Sequence, residues 1–238
     1  MNMKQKWATA QTLEPEHWLD NKEKIASNSY QSEVRLRALH ILSNIEAKLN
    51  TSLSGKKILE IGGGATPLAI FGETSSVTLV DPLMNFYKDT FSTVFPKSCE
   101  LVQSQAETLP FSDNSFDIII TRNTLDHVEE VSKCLEEMQR VLKPGGAAYI
   151  GMNVFAGPLL VYKTIRKDPE HPYTFSKASF VRLIKKHFSI EYAIDNDPIN
   201  GNHFVENEDQ TWHKRILRTI FLKIGNYNIV ELYTRNEK

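Results

Sequence analysis

ILEIGGGATP, residues 58–67, sets three consecutive glycines after a short apolar run that carries Glu60. A strand that breaks into glycines before a helix brings backbone N–H groups close to a ligand. Glycine serves there because a Cβ blocks the approach and because such turns often need a positive φ. The loop can hold a phosphate, a dinucleotide, or a nucleoside without phosphate. The dinucleotide fingerprint GxGxxG is met only in part. Gly62 and Gly64 fit it, but Pro67 stands in the third position.

Outward from this loop, short apolar runs recur. KKILEIG around the first strand is followed by SVTLVDP (76–82), CELVQS (99–104), FDIIITR (116–122) and GAAYIGM (146–152). Between them, residues 66–71, 83–95 and 128–142 suit helices. The last of these stops at Lys143-Pro144-Gly145-Gly146, a helix terminator and turn. Strands alternating with helices predict a parallel sheet covered on both faces. The unbroken IIIT run suits a central strand. Upstream, residues from about Pro15 to Leu49 predict helix, with Val34, Leu36, Leu39, Ile41, Leu42, Ile45 and Leu49 along one side and Ser32 as its cap. Downstream, 153–173 reads as irregular and 176–188 as an amphipathic helix. SIEYAI and YNIVELYTR (227–235) read as two further strands, and DQTWHKRILRTIFLKIG between them as a helix.

The chain of 238 residues suits one domain with additions, and its formal net charge of −1 gives no reason to expect a nucleic-acid surface. Two cysteines, Cys99 and Cys134, lack metal-ligand spacing, so no metal is expected and both thiols read as small core residues in a reducing compartment. The N-terminus has no long apolar segment and no window reaches the length of a membrane span. A cytoplasmic protein is expected, with no membrane span. Oligomeric state is left open.

Asp81 ends the second apolar run, where a carboxylate can accept hydrogen bonds from a ribose diol. It can equally be the turn residue before Pro82. The stretch from Gln103 to Gly146, QSQAETLPFSDNSFDIIITRNTLDHVEEVSKCLEEMQRVLKPGG, carries the wider pattern. With E-I-G-G-G, a terminal acid on strand two, A-E-x-L-P-F, S-F-D, L-D-H-V and L-K-P-G-G, the chain resembles class I S-adenosylmethionine-dependent methyltransferases. The resemblance runs from Lys56 to about Met152 and more loosely to Phe188.

That resemblance implies a Rossmann-like α/β sheet of seven strands with the last antiparallel, plus an N-terminal helical lid. It divides the chain into a lid and substrate-specificity segment, 1–54, and a cofactor-binding domain, 55–238. S-adenosylmethionine is the implied cofactor. Glu60, Gly62, Gly63 and Gly64 would line its methionine and ribose end, Asp81 its ribose hydroxyls, and Pro82 and Leu83 its adenine. Gln105, Ala106 and Glu107 would lie at the adenine edge, and Asn123 beside the transferable methyl. Gln105 departs from the Asp common in the family and offers the adenine an uncharged amide oxygen.

The sulfonium already activates the methyl group, so the protein mainly aligns the acceptor, and the catalytic residues stay unknown. His127 and, in the HPYTFS segment, His171 and Tyr173 are the candidates. Against them stand a structural His127, Asp126 as a helix cap, and Tyr173 and Phe175 packing the loop while Ser176 caps the helix that follows. Arg122 reads either as a surface residue or as a holder of an anionic acceptor. Trp18 and Tyr30 belong to the expected lid. A small-molecule acceptor methylated on oxygen or nitrogen is the leading expectation. An RNA or protein methyltransferase is disfavoured by TRNT after strand four and by the lack of a basic stripe. A dehydrogenase is disfavoured by Pro67. A non-catalytic protein that binds S-adenosylmethionine or S-adenosylhomocysteine is the alternative of another class.

Overall fold

A computed structural model describes residues 3–72, 76–166, 171–196 and 227–237. Seven strands form one sheet: β1 (Lys57–Ile61), β2 (Ser76–Asp81), β3 (Glu100–Gln103), β4 (Phe116–Arg122), β5 (Leu142–Phe155), β6 (Ser189–Asn196) and β7 (Tyr227–Arg235). Their order is β3-β2-β1-β4-β5-β7-β6. β1 to β5 pair in parallel, and β7 runs antiparallel between β5 and β6. The expected seven-stranded sheet with an antiparallel last strand is therefore present.

The unbroken apolar runs follow from burial on both faces. Ile118 and Ile120 of β4 pack with Ile58, Tyr149 and Tyr233 against Ala38, Ile41, Leu42, Ile45 and Leu49 of α3 (Asn28–Leu49). Ile119 points the other way, with Leu59, Ala148 and Ile150, toward α5 (Val131–Val141) and α7 (Lys177–Ile184). Cys134 is buried in that second layer, and Cys99 is half-buried.

Several boundaries differ from the sequence expectation. The N-terminal helix begins well before Pro15: α1 spans Met3–Asp20, α2 spans Lys22–Ala26, and a break at Ser27 opens α3. Ser27, not Ser32, is the cap, its hydroxyl accepting from the Tyr30 N–H at 3.3 Å. Leu36 and Leu39 stand exposed rather than on the buried side. The expected helix over 66–71 is a single 3₁₀ turn, Ala69–Phe71. The helix after β2 shortens to α4 (Met84–Thr90), and 153–173 contains a helix, α6 (Gly157–Arg166). β5 also takes in LKPGG. Phe116 faces Leu142 while Ile118 faces Ala147, so the turn at Gly145 (φ +67°) is a bulge in the strand rather than a break before it. Ser176 caps α7 as expected, in a reciprocal capping box with Ser179. The predicted helix over 209–225 lies outside the described residues.

One ionic cluster fixes the loop after β3. The Arg140 guanidinium donates to the carbonyls of Leu109 (2.9 Å) and Phe111 (2.7 Å) and pairs with Glu137 and Asp113. Glu137 in turn accepts from the Leu109 N–H, and its hydrogen bond to Arg140 holds its carboxyl below the ordinary range. Arg140→Ala is expected to cost about 1–3 kcal/mol in urea denaturation, because two backbone acceptors lose a charged donor. Arg140→Lys should recover little, since an ammonium does not reproduce the planar fork.

Candidate functional site

The carboxyl ends of β1, β2, β4 and β5 open into one pocket, the usual ligand position in an open parallel sheet. Its volume is about 320 Å³, at the lower end of the roughly 300–1,000 Å³ of small-molecule sites. Its floor is the glycine loop. Gly62 has φ +70° and Gly64 φ +52°. A Cβ on Gly62 would stand 2.3 Å from Thr124 Cγ2, one on Gly63 2.9 Å from Glu60 Oε1, and one on Gly64 2.9 Å from Trp18 Cζ2.

Two buried carboxylates shape the loop. Glu60 accepts from the N–H groups of Leu68 (2.8 Å) and Ala69 (2.7 Å). It therefore ties down the short turn that replaces a full helix. Burial pushes its carboxyl up to about 7, against those hydrogen bonds. Asp81 accepts from the Leu83 N–H at 2.8 Å. Burial raises its carboxyl to about 7, opposed by the Leu83 and Gly64 N–H groups and reinforced by the nearby Glu14 charge. Asp81 thus has both the turn role and a place in the pocket lining.

All eleven residues assigned to cofactor binding from the sequence line this pocket: Glu60, Gly62, Gly63, Gly64, Asp81, Pro82, Leu83, Gln105, Ala106, Glu107 and Asn123. Two of them also bond to the surrounding backbone. Glu107 accepts from the N–H groups of Glu129 (2.7 Å) and Glu130 (3.0 Å) and so anchors the start of α5. Asn123, at φ +51°, accepts from the Asn153 N–H at 2.9 Å and clips β4 to β5.

The three catalytic candidates separate. His127 and His171 both line the pocket, their ring centroids 4.5 Å apart. Tyr173 does not line it. Its hydroxyl donates to the Glu129 carbonyl at 2.8 Å and its ring stacks on Phe175, the loop-packing arrangement. Asp126 caps no helix: α5 begins five residues later, and the Asp126 carboxylate sits buried in the pocket wall. Arg122 is likewise a pocket residue rather than a surface one.

Sequence reading missed Trp7, Gln11, Glu14, Arg37, Thr124 and Asn153. The signal for the first three was their helical spacing with Trp18, which puts all four on one side of α1. Trp18 packs edge-on against Tyr87 and Phe91 and donates to Glu14 Oε1 at 2.7 Å. Arg37, paired with Glu33 at 3.0 Å, lies close enough to Arg122 that burial and that second guanidinium lower its pKa.

Comparison with known proteins agrees with this architecture. Residues 59–150 match the family model described as "Methyltransferase domain". The ubiquinone/menaquinone biosynthesis C-methyltransferase UbiE of Haemophilus ducreyi is 36% identical over 101 residues, which is 39% of this chain and 39% of that protein. The chain thus spans about two fifths of the length of the curated relatives it matches. Among solved structures, geranyl diphosphate C-methyltransferase from Streptomyces coelicolor shares the fold at a TM-score of 0.62 and 13% identity, over 89% of this chain and 84% of that one. Phosphoethanolamine N-methyltransferase 2 of Haemonchus contortus gives 0.62 at 17% identity, over 84% of this chain and 53% of that one. Residues 59–150 are thus similar in sequence to a methyltransferase domain, and the seven-stranded sheet built on them has the fold of the solved methyltransferases.

Proposed function

We propose that the protein binds S-adenosylmethionine in this pocket and transfers its methyl group to a small polar acceptor, on oxygen or nitrogen. The observation that carries the reading is the glycine loop closed on one side by Asp81, at the carboxyl end of the parallel strands. The lining fits the cofactor chemically. Arg37 Nε, Arg122 Nε and Asn153 Oδ1 are buried and have no hydrogen-bond partner among the described residues. Guanidinium donors suit a carboxylate and an amide oxygen suits an ammonium, the two charged groups of an amino acid. Asp81 would take the ribose hydroxyls, and Gln105 and Ala106 the adenine edge. When bound, the cofactor supplies an electrophilic methyl on a sulfonium.

The protein's own task is then alignment and exclusion of water. The N-terminal segment 1–54 serves as the lid: Trp7, Gln11, Glu14 and Trp18 of α1 wall the pocket, and Trp18 lies on the glycine loop. The lining left beyond those groups is also polar, with Thr124, Asp126, His127 and His171. Such a wall favours a polar metabolite over the long apolar tail of a quinone precursor, and a heteroatom over a ring carbon.

The test is transfer of labelled methyl from S-adenosylmethionine to a panel of small alcohols, amines and acids, run beside isoprenoid phenols. Turnover is expected with members of the polar set. Turnover confined to the isoprenoid phenols would overturn the acceptor class, and cofactor binding without turnover on any acceptor would favour a non-catalytic binding protein.

A further inference from the structure

Two loops meet at the pocket mouth. The segment after β4 supplies Asp126 and His127, and the segment after β5 supplies His171. The Tyr173 N–H donates to the Asp126 carbonyl at 3.2 Å and holds the segments together. Asp126 is 5% exposed, yet its Oδ1 accepts no hydrogen bond among the described residues. Facing that carboxylate are His127 Nε2, 4.0 Å from Oδ1, and His171 Nε2, 4.0 Å from Oδ2. One ligand atom from each of the three residues falls within 4.8 Å of the others.

We propose that Asp126, His127 and His171 form a binding site for a divalent transition-metal ion that opens onto the pocket. A buried carboxylate oxygen without a donor is costly, and a cation would satisfy it. Two imidazoles and one carboxylate form the donor set of zinc and non-haem iron sites. Metal–ligand bonds of about 2.0–2.2 Å place donor atoms roughly 3–3.5 Å apart, so the present spacing closes with shifts of about 1 Å or less per side chain. The outer shell is also in place. Glu14 Oε2 lies 3.9 Å from His127 Nδ1, the ring nitrogen opposite the one that faces Asp126. A carboxylate in that position fixes the tautomer and orientation of a ligating histidine. Glu14 is itself held by the Trp18 indole N–H. Three protein ligands leave at least one coordination position facing the pocket, where an acceptor oxygen would bind. That last point rests on the methyltransferase reading, whereas metal binding does not.

The experiment uses the untagged, chelator-treated 238-residue chain. Zn²⁺ is titrated calorimetrically, and Co²⁺ is followed by its visible absorption. One ion per chain is expected, with a Co²⁺ band that Zn²⁺ abolishes. Asp126→Asn, His127→Gln and His171→Gln should each weaken Zn²⁺ binding at least tenfold and remove the band. His40→Ala, on the exposed face of α3, should change neither. Thermal melts without metal identify any variant that fails to fold, and the others then decide. No Co²⁺ band in the unmodified protein, or Zn²⁺ binding equal in the unmodified protein and all folded variants, would overturn the proposal.

Discussion

Asp81→Ala is expected to weaken binding of S-adenosylhomocysteine about 100-fold or more, as measured by calorimetry, because the ribose diol loses two hydrogen bonds to a charged acceptor at roughly 1.5–3 kcal/mol each. The folded state should survive, since the substitution also removes a buried charge and leaves the Leu83 N–H at a partly exposed turn. The same residue sets a pH dependence. Burial holds the Asp81 carboxyl near 7 in the unliganded protein, and the diol prefers the ionised form. About a tenth of the protein is then competent at pH 6, and affinity should rise roughly tenfold from pH 6 to pH 8. Asp81→Asn should bind weakly and without that slope. For stability the sign is opposite. The folded pKa lies above the unfolded one, so the unfolded chain binds fewer protons between about 4 and 7, and the unliganded protein loses stability as pH rises through that window. Glu60, also held near 7 by burial, adds to the same trend.

The second large effect is at Gly62. At φ +70°, with Thr124 Cγ2 2.3 Å from the position of a Cβ, Gly62→Ala combines left-handed strain with overpacking, roughly 2–4 kcal/mol together. Thr124 has little freedom to yield, because its hydroxyl donates to the Ile61 carbonyl at 3.1 Å. A melting temperature lowered by about 5–15 °C is expected for a domain of this size, with loss of cofactor binding. Gly55 provides the comparison. It has φ +74° but nothing within 4 Å of a Cβ, so Gly55→Ala should show the backbone strain alone and leave binding intact. Equal losses at the two positions would mean that the close approach at the glycine loop contributes nothing.

The strands were legible because burial on both faces leaves unbroken apolar runs punctuated by Gly, Pro and Asp, as in IIIT and LVDP. The helical boundaries were not, because side-chain acceptors moved them. Glu60 takes the N–H groups of Leu68 and Ala69 and leaves only a 3₁₀ turn after the glycines. Three serines, Ser27, Ser29 and Ser32, stand ahead of the apolar stripe of α3, and the chain break at Ser27 makes it the cap in place of the expected Ser32. The glycine-loop side of the pocket was readable from local motifs, since its residues lie at or just past the ends of strands. The other side was not. Glu14 and Trp18 show helical spacing, but spacing does not say what α1 covers. His171 is far from Asp126 in the chain, and a backbone bond from Tyr173 brings them together.

The central claim is that the glycine loop holds a nucleoside without a phosphate. Calorimetric titration of the unmodified protein with S-adenosylhomocysteine and, separately, with NAD tests it most directly. The account predicts micromolar binding of one S-adenosylhomocysteine per chain and no heat from NAD. NAD binding with no response to S-adenosylhomocysteine would contradict it, and would return the glycine loop to the dinucleotide reading that Pro67 argues against.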